Sequence, residues 1–392
     1  MGEKVVYKEF CTGCGLCHSA YGIELQKDGN GYLYPVSYEG KQKELSEICP
    51  AGGHASQEMD AAEMWGKTEK VFLGWSADQK IRKQASSGGV LTALCCYLLE
   101  QNLVDGIIQT AADAGYHTKT VISRTPEEVK KCMGSRYSIS SPLLEIKQIL
   151  KEEERYAFVG KPCDVSALRM YLKEDKKLES QIGYLFSFFC AGMPGERAQK
   201  QLLHELGCDR EEECDVLQYR GNGWPGYATV TKKDGTQAQM SYDDSWGKIL
   251  GRDVRKICRY CIDGIGEMAD VSCGDAWYLT ADGRPDFSEK EGRNVIFARN
   301  PEGLELILAA ASAGTLSIEE YERCKEELKK IQKYQYERRS TMHAMLSGLR
   351  TVGKCTPAYN SRLLKAYEKN ADGKLKLKRF LGTVKRAVKG KL

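Results

Sequence analysis

Cys11, Cys14 and Cys17 stand at C-x2-C-x2-C spacing near the start of the sequence, and far behind them Cys49 is followed by Pro50. Three thiolates set so close together converge on one face of a metal centre. A remote Cys-Pro supplies the fourth ligand, which is the pattern that holds a 4Fe–4S cube. Gly13 and Gly15 let the backbone turn tightly between the ligands and aim its N–H groups inward. In ordinary ferredoxin runs the Cys-Pro follows the third cysteine closely, whereas 31 residues intervene here. The spacing therefore predicts one cluster with a loop excursion. Ordinary reduced thiols, or a zinc site built on the C-x2-C pair, are the competing readings. The complete set of four in this order favours iron and sulfide over both.

Four further cysteines draw notice. Cys258 and Cys261 form a second C-x2-C pair. Cys163, in Gly160-Lys-Pro-Cys-Asp164, and Cys190, in Phe189-Cys-Ala-Gly-Met-Pro194, each end a predicted strand and precede a predicted helix. Strand ends in open α/β sheets face the crevice where ligands bind. Spacing alone leaves these four open between a second four-thiolate site and unrelated core thiols.

Two loops have the grammar of an anion site. Ala85-Ser86-Ser87-Gly88-Gly89-Val90 leads into an apolar helix. Its serines are good N-caps, its glycines admit close approach, and the first-turn N–H groups favour an anion. A pyrophosphate-bearing cofactor would suit it, although a capped buried helix without a ligand is the simpler account of this motif by itself. Gly134-Ser135-Arg136-Tyr137 offers an arginine and hydroxyls for phosphate or ribose, or else a polar turn. Gly221-Asn-Gly-Trp-Pro-Gly226 matches G-x-G-x-x-G, but Pro225 and the strand-like residues behind it deny the helix that a dinucleotide fingerprint needs. It reads as a strand–loop–strand turn.

The elements around these residues alternate. Strands are predicted over 71–75, 106–110, 117–123, 156–160 and 182–189, with helices over 87–99, from 126, and over 165–172 and 196–206. This is a mixed α/β pattern. A helix begins at Pro301, and a long one is expected over 318–349, with Tyr321, Cys324, Leu328 and Ile331 on one face and a largely charged remainder. The chain divides into a cysteine-bearing module over 1–66, two α/β segments over 70–150 and 151–315, the long helix over 316–350, and a linker with a basic tail over 351–392.

Composition narrows the function. Of 392 residues 42% are apolar, enough for real cores, and the net charge is only +4. Eight lysines and arginines fall within 374–391 without an acid, so the remainder is mildly acidic and nucleic-acid binding is not expected. Sixteen cysteines, with no signal-peptide pattern and no bilayer-length apolar run, imply reduced thiols in the cytoplasm of a low-oxygen cell. In the tail, Leu377, Phe380, Leu381, Val384 and Val388 recur at three- and four-residue steps among basic residues. That is a short amphipathic helix suited to weak contact with an anionic membrane surface; the competing readings are a solubilising or disordered end, or a helix docked on an acidic partner.

Five segments in order resemble the beta subunits of coenzyme F420-reducing hydrogenases and dehydrogenases, over roughly residues 70–310. They are Ser86-Ser-Gly-Gly-Val-Leu-Thr-Ala-Leu94, Met133-Gly-Ser-Arg-Tyr-Ser138, Val159-Gly-Lys-Pro-Cys-Asp-Val165, Cys258-Arg-Tyr-Cys261 and Glu267-Met-Ala-Asp-Val-Ser-Cys-Gly-Asp275. The N-terminal module resembles the ferredoxin-type extension of many bacterial relatives. The resemblance implies an α/β flavoprotein core and a second 4Fe–4S cluster on Cys163, Cys190, Cys258 and Cys261. It also implies FAD contacts from Ser86, Ser87, Gly88, Gly89, Gly134, Ser135, Arg136 and Tyr137. Lys161 stands where related subunits often carry Thr or Ile; it is the candidate catalytic residue, placed to stabilise a reduced flavin, with an ordinary surface lysine as the competing reading. The expected function is an iron–sulfur flavoprotein oxidoreductase that passes electrons between two 4Fe–4S clusters, FAD and a ferredoxin-like or deazaflavin carrier. The alternative is a non-catalytic electron-transfer subunit docked on a partner oxidoreductase.

Overall fold

The computed structural model describes residues 7–150, 153–321 and 324–390, the side chains of 324 and 325 excepted. An eight-stranded sheet forms its centre. The strands are β3 (Lys70–Ser76), β4 (Gly106–Ala112), β5 (Thr118–Ser123), β6 (Tyr156–Gly160), β7 (Ile182–Phe188), β11 (Val271–Asp275), β12 (Asn294–Ala298) and β13 (Leu316–Glu320), in the order β13-β3-β12-β11-β7-β6-β4-β5. Strands β4, β6, β7 and β11 run parallel, and antiparallel strands flank them on both sides. Successive side chains leave opposite faces of a strand. Ile107, Ala157, Phe186 and Ile296 therefore meet the helices Val90–Glu100 and Pro301–Ser312 on one face. Ile108, Phe158 and Leu185 meet the helix Pro162–Glu174 on the other. The result is a helix–sheet–helix sandwich, and a one-residue slip in any of these strands would put its core residues on the wrong face.

The N-terminal segment carries the hairpin β1 (Glu24–Lys27) and β2 (Leu33–Ser37), with short helices at Leu16–Tyr21 and Gln42–Ile48. Cys14, Leu16 and Ile48 share a core cluster with Val165 and Leu168, so this segment packs directly on the helix Pro162–Glu174. A three-stranded antiparallel sheet, β8 (Cys214–Gln218), β9 (Ala228–Lys232) and β10 (Gln237–Met240), packs with the helix Glu196–Glu205 as a satellite. The Gly221–Gly226 stretch joins β8 to β9, as the strand–loop–strand reading requires.

The long helix expected over 318–349 is interrupted. Ile318 lies in β13, which completes the open edge of β3, and the chain then forms two helices, Cys324–Ile331 and Lys333–Thr351, separated at Gln332. Pairing with β3 satisfies the backbone N–H and C=O groups of 316–320. Leu328 and Ile331 are buried as their spacing predicts, and the charged remainder packs against the body, with Arg338 5% exposed and Arg339 0% exposed. Arg339 pairs with Glu267 at 2.7 Å. Its partner lies in the α/β body, so sequence neighbours gave no sign of the burial. The tail is a helix, Gly373–Val388, docked on Lys333–Thr351 through Thr383 and Ala387, with Gly348 admitting the close approach. Among the described residues no helix is long and apolar enough to cross a membrane.

Candidate functional site

The carboxyl ends of β4, β6, β7 and β11 open on a crevice of about 260 Å³. Gln109 and Thr110 of β4, Gly160 and Lys161 after β6, Phe189 and Cys190 after β7, and Gly274 and Asp275 of β11 line it. This is where parallel sheets gather ligands, because the loops diverge there. Ser86, Ser87, Gly89, Gly134, Ser135, Arg136 and Tyr137 line it too, so the two anion-type loops meet across it. The Ser135 hydroxyl donates to Ser86 Oγ at 2.9 Å and ties the loops together.

Several details differ from the sequence reading. Neither serine caps the helix; Gly89, at φ +78°, is the N-cap, and the helix starts at Val90. Ser87 Oγ instead donates to the Arg293 carbonyl at 2.9 Å. Gly88 is absent from the crevice lining. A Cβ there would meet the Gly74 carbonyl and Asn294 Oδ1, each at 2.8 Å, so its small size serves packing against the sheet. Arg136 donates from both terminal nitrogens to its own loop, to the carbonyls of Ser135 and Met133 at 3.0 Å each. Only its buried Nε lacks a partner among the described residues.

Lys161 is 9% exposed, with Nζ 2.7 Å from Asp164 Oδ2 and donating at 2.7 Å to Ser140 Oγ. Burial works against its charge, but Asp164 holds the ammonium above the ordinary lysine range. Sequence reasoning missed Arg220. Its guanidinium grips Asp275 through two bonds of 2.9 and 3.0 Å, and Trp224 Nε1 donates to the same carboxylate at 2.9 Å. Arg220 lines the crevice, 4.9 Å from the Tyr242 ring and beside Tyr137, so it braces that wall. The rejected glycine motif was its only signal.

The thiols gather in two groups. Cys11, Cys14, Cys17 and Cys49 line one small enclosure with Leu25, Leu33 and Ile48. Gly13 and Gly15 have φ of +76° and +89°, and the Gly13 N–H points at Cys11 Sγ at 3.3 Å, as the spacing required. Burial pushes Cys14 up to about 11, and Cys17 and Cys49 are raised by burial too. Cys163, Cys190, Cys258 and Cys261 form the second group, each feeling the charge of at least one other. Burial drives Cys190 and Cys261 up to about 11. Cys190 also lines the crevice. Arg338 reaches this group from the Lys333–Thr351 helix, donating to the carbonyls of Cys190 at 3.0 Å and Cys258 at 3.3 Å. Its Nε is buried without a partner among the described residues. None of the groups of His, Cys, Asp and Glu among the described residues is arranged around a single metal ion.

A sandwiched mixed sheet with a crevice at its parallel carboxyl edge is the frame of many α/β proteins that bind large cofactors. Family comparison narrows this one. Residues 71–148 match the N-terminal model, and residues 153–347 the C-terminal model, of the coenzyme F420 hydrogenase/dehydrogenase beta subunit. The chain belongs to that family of oxidoreductase subunits. The coenzyme F420 hydrogenase subunit beta of Methanococcus voltae is 27% identical over 75% of this chain and 99% of its own length. The coenzyme F420-dependent sulfite reductase of Methanocaldococcus jannaschii is 26% identical over 86% of this chain and 52% of its own length. A chain of the F420-reducing NiFe hydrogenase complex from Methanosarcina barkeri shares the fold, with a TM-score of 0.58 and 21% identity over 75% of this chain and 97% of that one.

Proposed function

We propose that this chain is an iron–sulfur flavoprotein oxidoreductase, with FAD in the crevice and a 4Fe–4S cluster on each thiol group. The observation that carries the reading is Cys190, which belongs both to the crevice wall and to the second thiol group. When bound, the flavin supplies two-electron chemistry toward an organic substrate and the clusters supply one-electron transfer.

The residues fit those groups. A zinc ion would need four donors around one point, whereas a cube takes one thiolate per iron and so holds its sulfurs further apart. Each group supplies four cysteines, the number that a cube takes. The unpartnered Nε of Arg338 supports an anionic group beside the second quartet, and that of Arg136 supports one in the crevice. Ser86, Ser135 and the first-turn N–H groups behind Gly89 offer donors to a pyrophosphate, Tyr137 lies within the same wall, and Gly134 leaves room beside them. Lys161, its charge secured by Asp164, holds a positive charge beside the crevice that favours a reduced, anionic ring. The division into a cluster module over 1–66 and two flavoprotein segments is part of the same proposal, as is a cytoplasmic location.

A deazaflavin or a ferredoxin-like protein is the proposed carrier, since several relatives are named for coenzyme F420. The reading as an electron-transfer subunit of a larger oxidoreductase is favoured by relatives named as subunits. Anaerobic purification tests both. Two cubes predict about eight iron and eight sulfide per chain, with one FAD, falling to about four of each in Cys258→Ala. About four in the parent protein, unchanged by that substitution, defeats the second site. Flavin reduction by reduced F420 in the isolated chain supports the enzyme, and activity only with a co-purifying subunit supports the alternative.

A further inference from the structure

Arg255 is 6% exposed and sits between the two thiol groups. On one side its Nη1 is pressed against the Cys11–Cys14 loop, where a Cβ on Gly13 would lie 2.3 Å from it. Its Nη2 donates to the Leu33 carbonyl, the same oxygen that Cys11 Sγ approaches at 3.7 Å. On the other side its carbonyl accepts from the Cys258 N–H at 2.9 Å. Its own N–H donates at 3.0 Å to the carbonyl of Met193, a crevice residue. The guanidinium is stacked 5.0 Å from the Tyr32 ring, whose hydroxyl donates to that same Met193 carbonyl at 2.9 Å. Stacking and the Leu33 bond fix the side chain. Yet Nη1 is buried and has no partner among the described residues. A buried charged donor left unpaired is costly, and a fixed one aimed into a thiolate loop is what an anionic occupant would satisfy.

We propose that Arg255 is a positioning residue that serves both clusters at once, donating to the N-terminal one and placing its charge beside the second, so that their potentials are set jointly. This rests on the reading of both thiol groups as 4Fe–4S sites. A fixed positive charge favours the reduced, more negative state of each cluster. Its removal therefore shifts both midpoint potentials downward, and a lysine, which keeps the charge but loses the fork and the stacking, retains part of the effect. The shared contact also requires the two clusters to be close neighbours.

The full chain, purified without oxygen, is compared with Arg255→Gln and Arg255→Lys by iron and sulfide analysis and by a redox titration followed by electron paramagnetic resonance. The expected result is unchanged iron in at least the lysine variant, two potentials lowered in Arg255→Gln and lowered less in Arg255→Lys, and spin coupling between the two reduced clusters in the parent protein. If Arg255→Gln loses iron, the lysine variant and the parent coupling decide. Two loaded clusters with no coupling, or a shift confined to one of them, overturns the role of Arg255 while leaving both clusters standing. A parent protein with fewer than two clusters overturns the underlying reading as well.

Discussion

Replacing Arg220 by methionine removes the brace of the crevice wall, and the structure gives the size of the effect. Two charge-assisted hydrogen bonds to Asp275 are lost, together with one from Nε to the Pro225 carbonyl at 2.9 Å. The stacked contacts with Tyr242 at 4.9 Å and Trp277 at 5.4 Å disappear too. Among the described residues Asp275 is left with the Trp224 indole as its remaining side-chain donor. Breaking a buried ion pair by deleting one partner costs about 3–5 kcal/mol, mostly through the stranded charge. The Asp275 side chain is 19% exposed, so water reaches it and the lower end, about 3 kcal/mol, applies. Arg220→Lys should recover less than half, because an ammonium restores neither the fork nor the stacking. The double variant Arg220→Met with Asp275→Asn should be more stable than Arg220→Met alone, since it strands no charge. Urea unfolding of the anaerobic protein, followed by tryptophan fluorescence, measures all four forms. Flavin and iron contents are read on the same samples, with flavin falling first. A loss under about 1 kcal/mol in Arg220→Met, or an Arg220→Lys protein identical to the parent, refutes this account of the wall.

Arg136→Met should lower flavin retention severalfold while iron stays at the parent level, and flavin content unchanged in a folded variant would remove the arginine from the proposed pyrophosphate site. Gly88→Val, which meets backbone rather than crevice, should reduce stability and soluble yield; a stable variant lacking only flavin would contradict that placement. On the tail helix, Leu377, Leu381 and Val388 are exposed at 59%, 54% and 73%. If that face touches anionic membranes, Leu377→Ser with Leu381→Ser should reduce co-sedimentation with phosphatidylserine vesicles at low salt, and equal partitioning of variant and parent would end the membrane proposal.

Much of the fold was legible because its strands and helices carry local signatures. The run at β4, the Pro-led helices at Pro126 and Pro301, and the strand–loop–strand reading of 221–226 follow from propensity, periodicity and turn residues. The Cys11–Cys49 group was legible for a different reason. Its first three members are neighbours in sequence, so spacing alone brings them together. The second group has members up to 98 residues apart, and only the return of β6, β7 and the Cys258 segment to one edge joins them.

The sequence by itself determined which chemistry was available: the thiols, the glycine turns between them, the two hydroxyl-rich loops and the apolar strand pattern. Tertiary structure decided which of these meet, and which charges enter the interior. Ile318 joined a sheet because β3 left an edge to be paired, a condition set some 240 residues earlier in the chain. Arg220, Arg255, Arg338 and Arg339 read in the sequence as ordinary cations, yet all four are buried. A guanidinium can be buried only where acceptors or counter-charges from distant segments are waiting. Asp275, Leu33, Cys190 and Glu267 supply those partners here, and no local pattern could announce them.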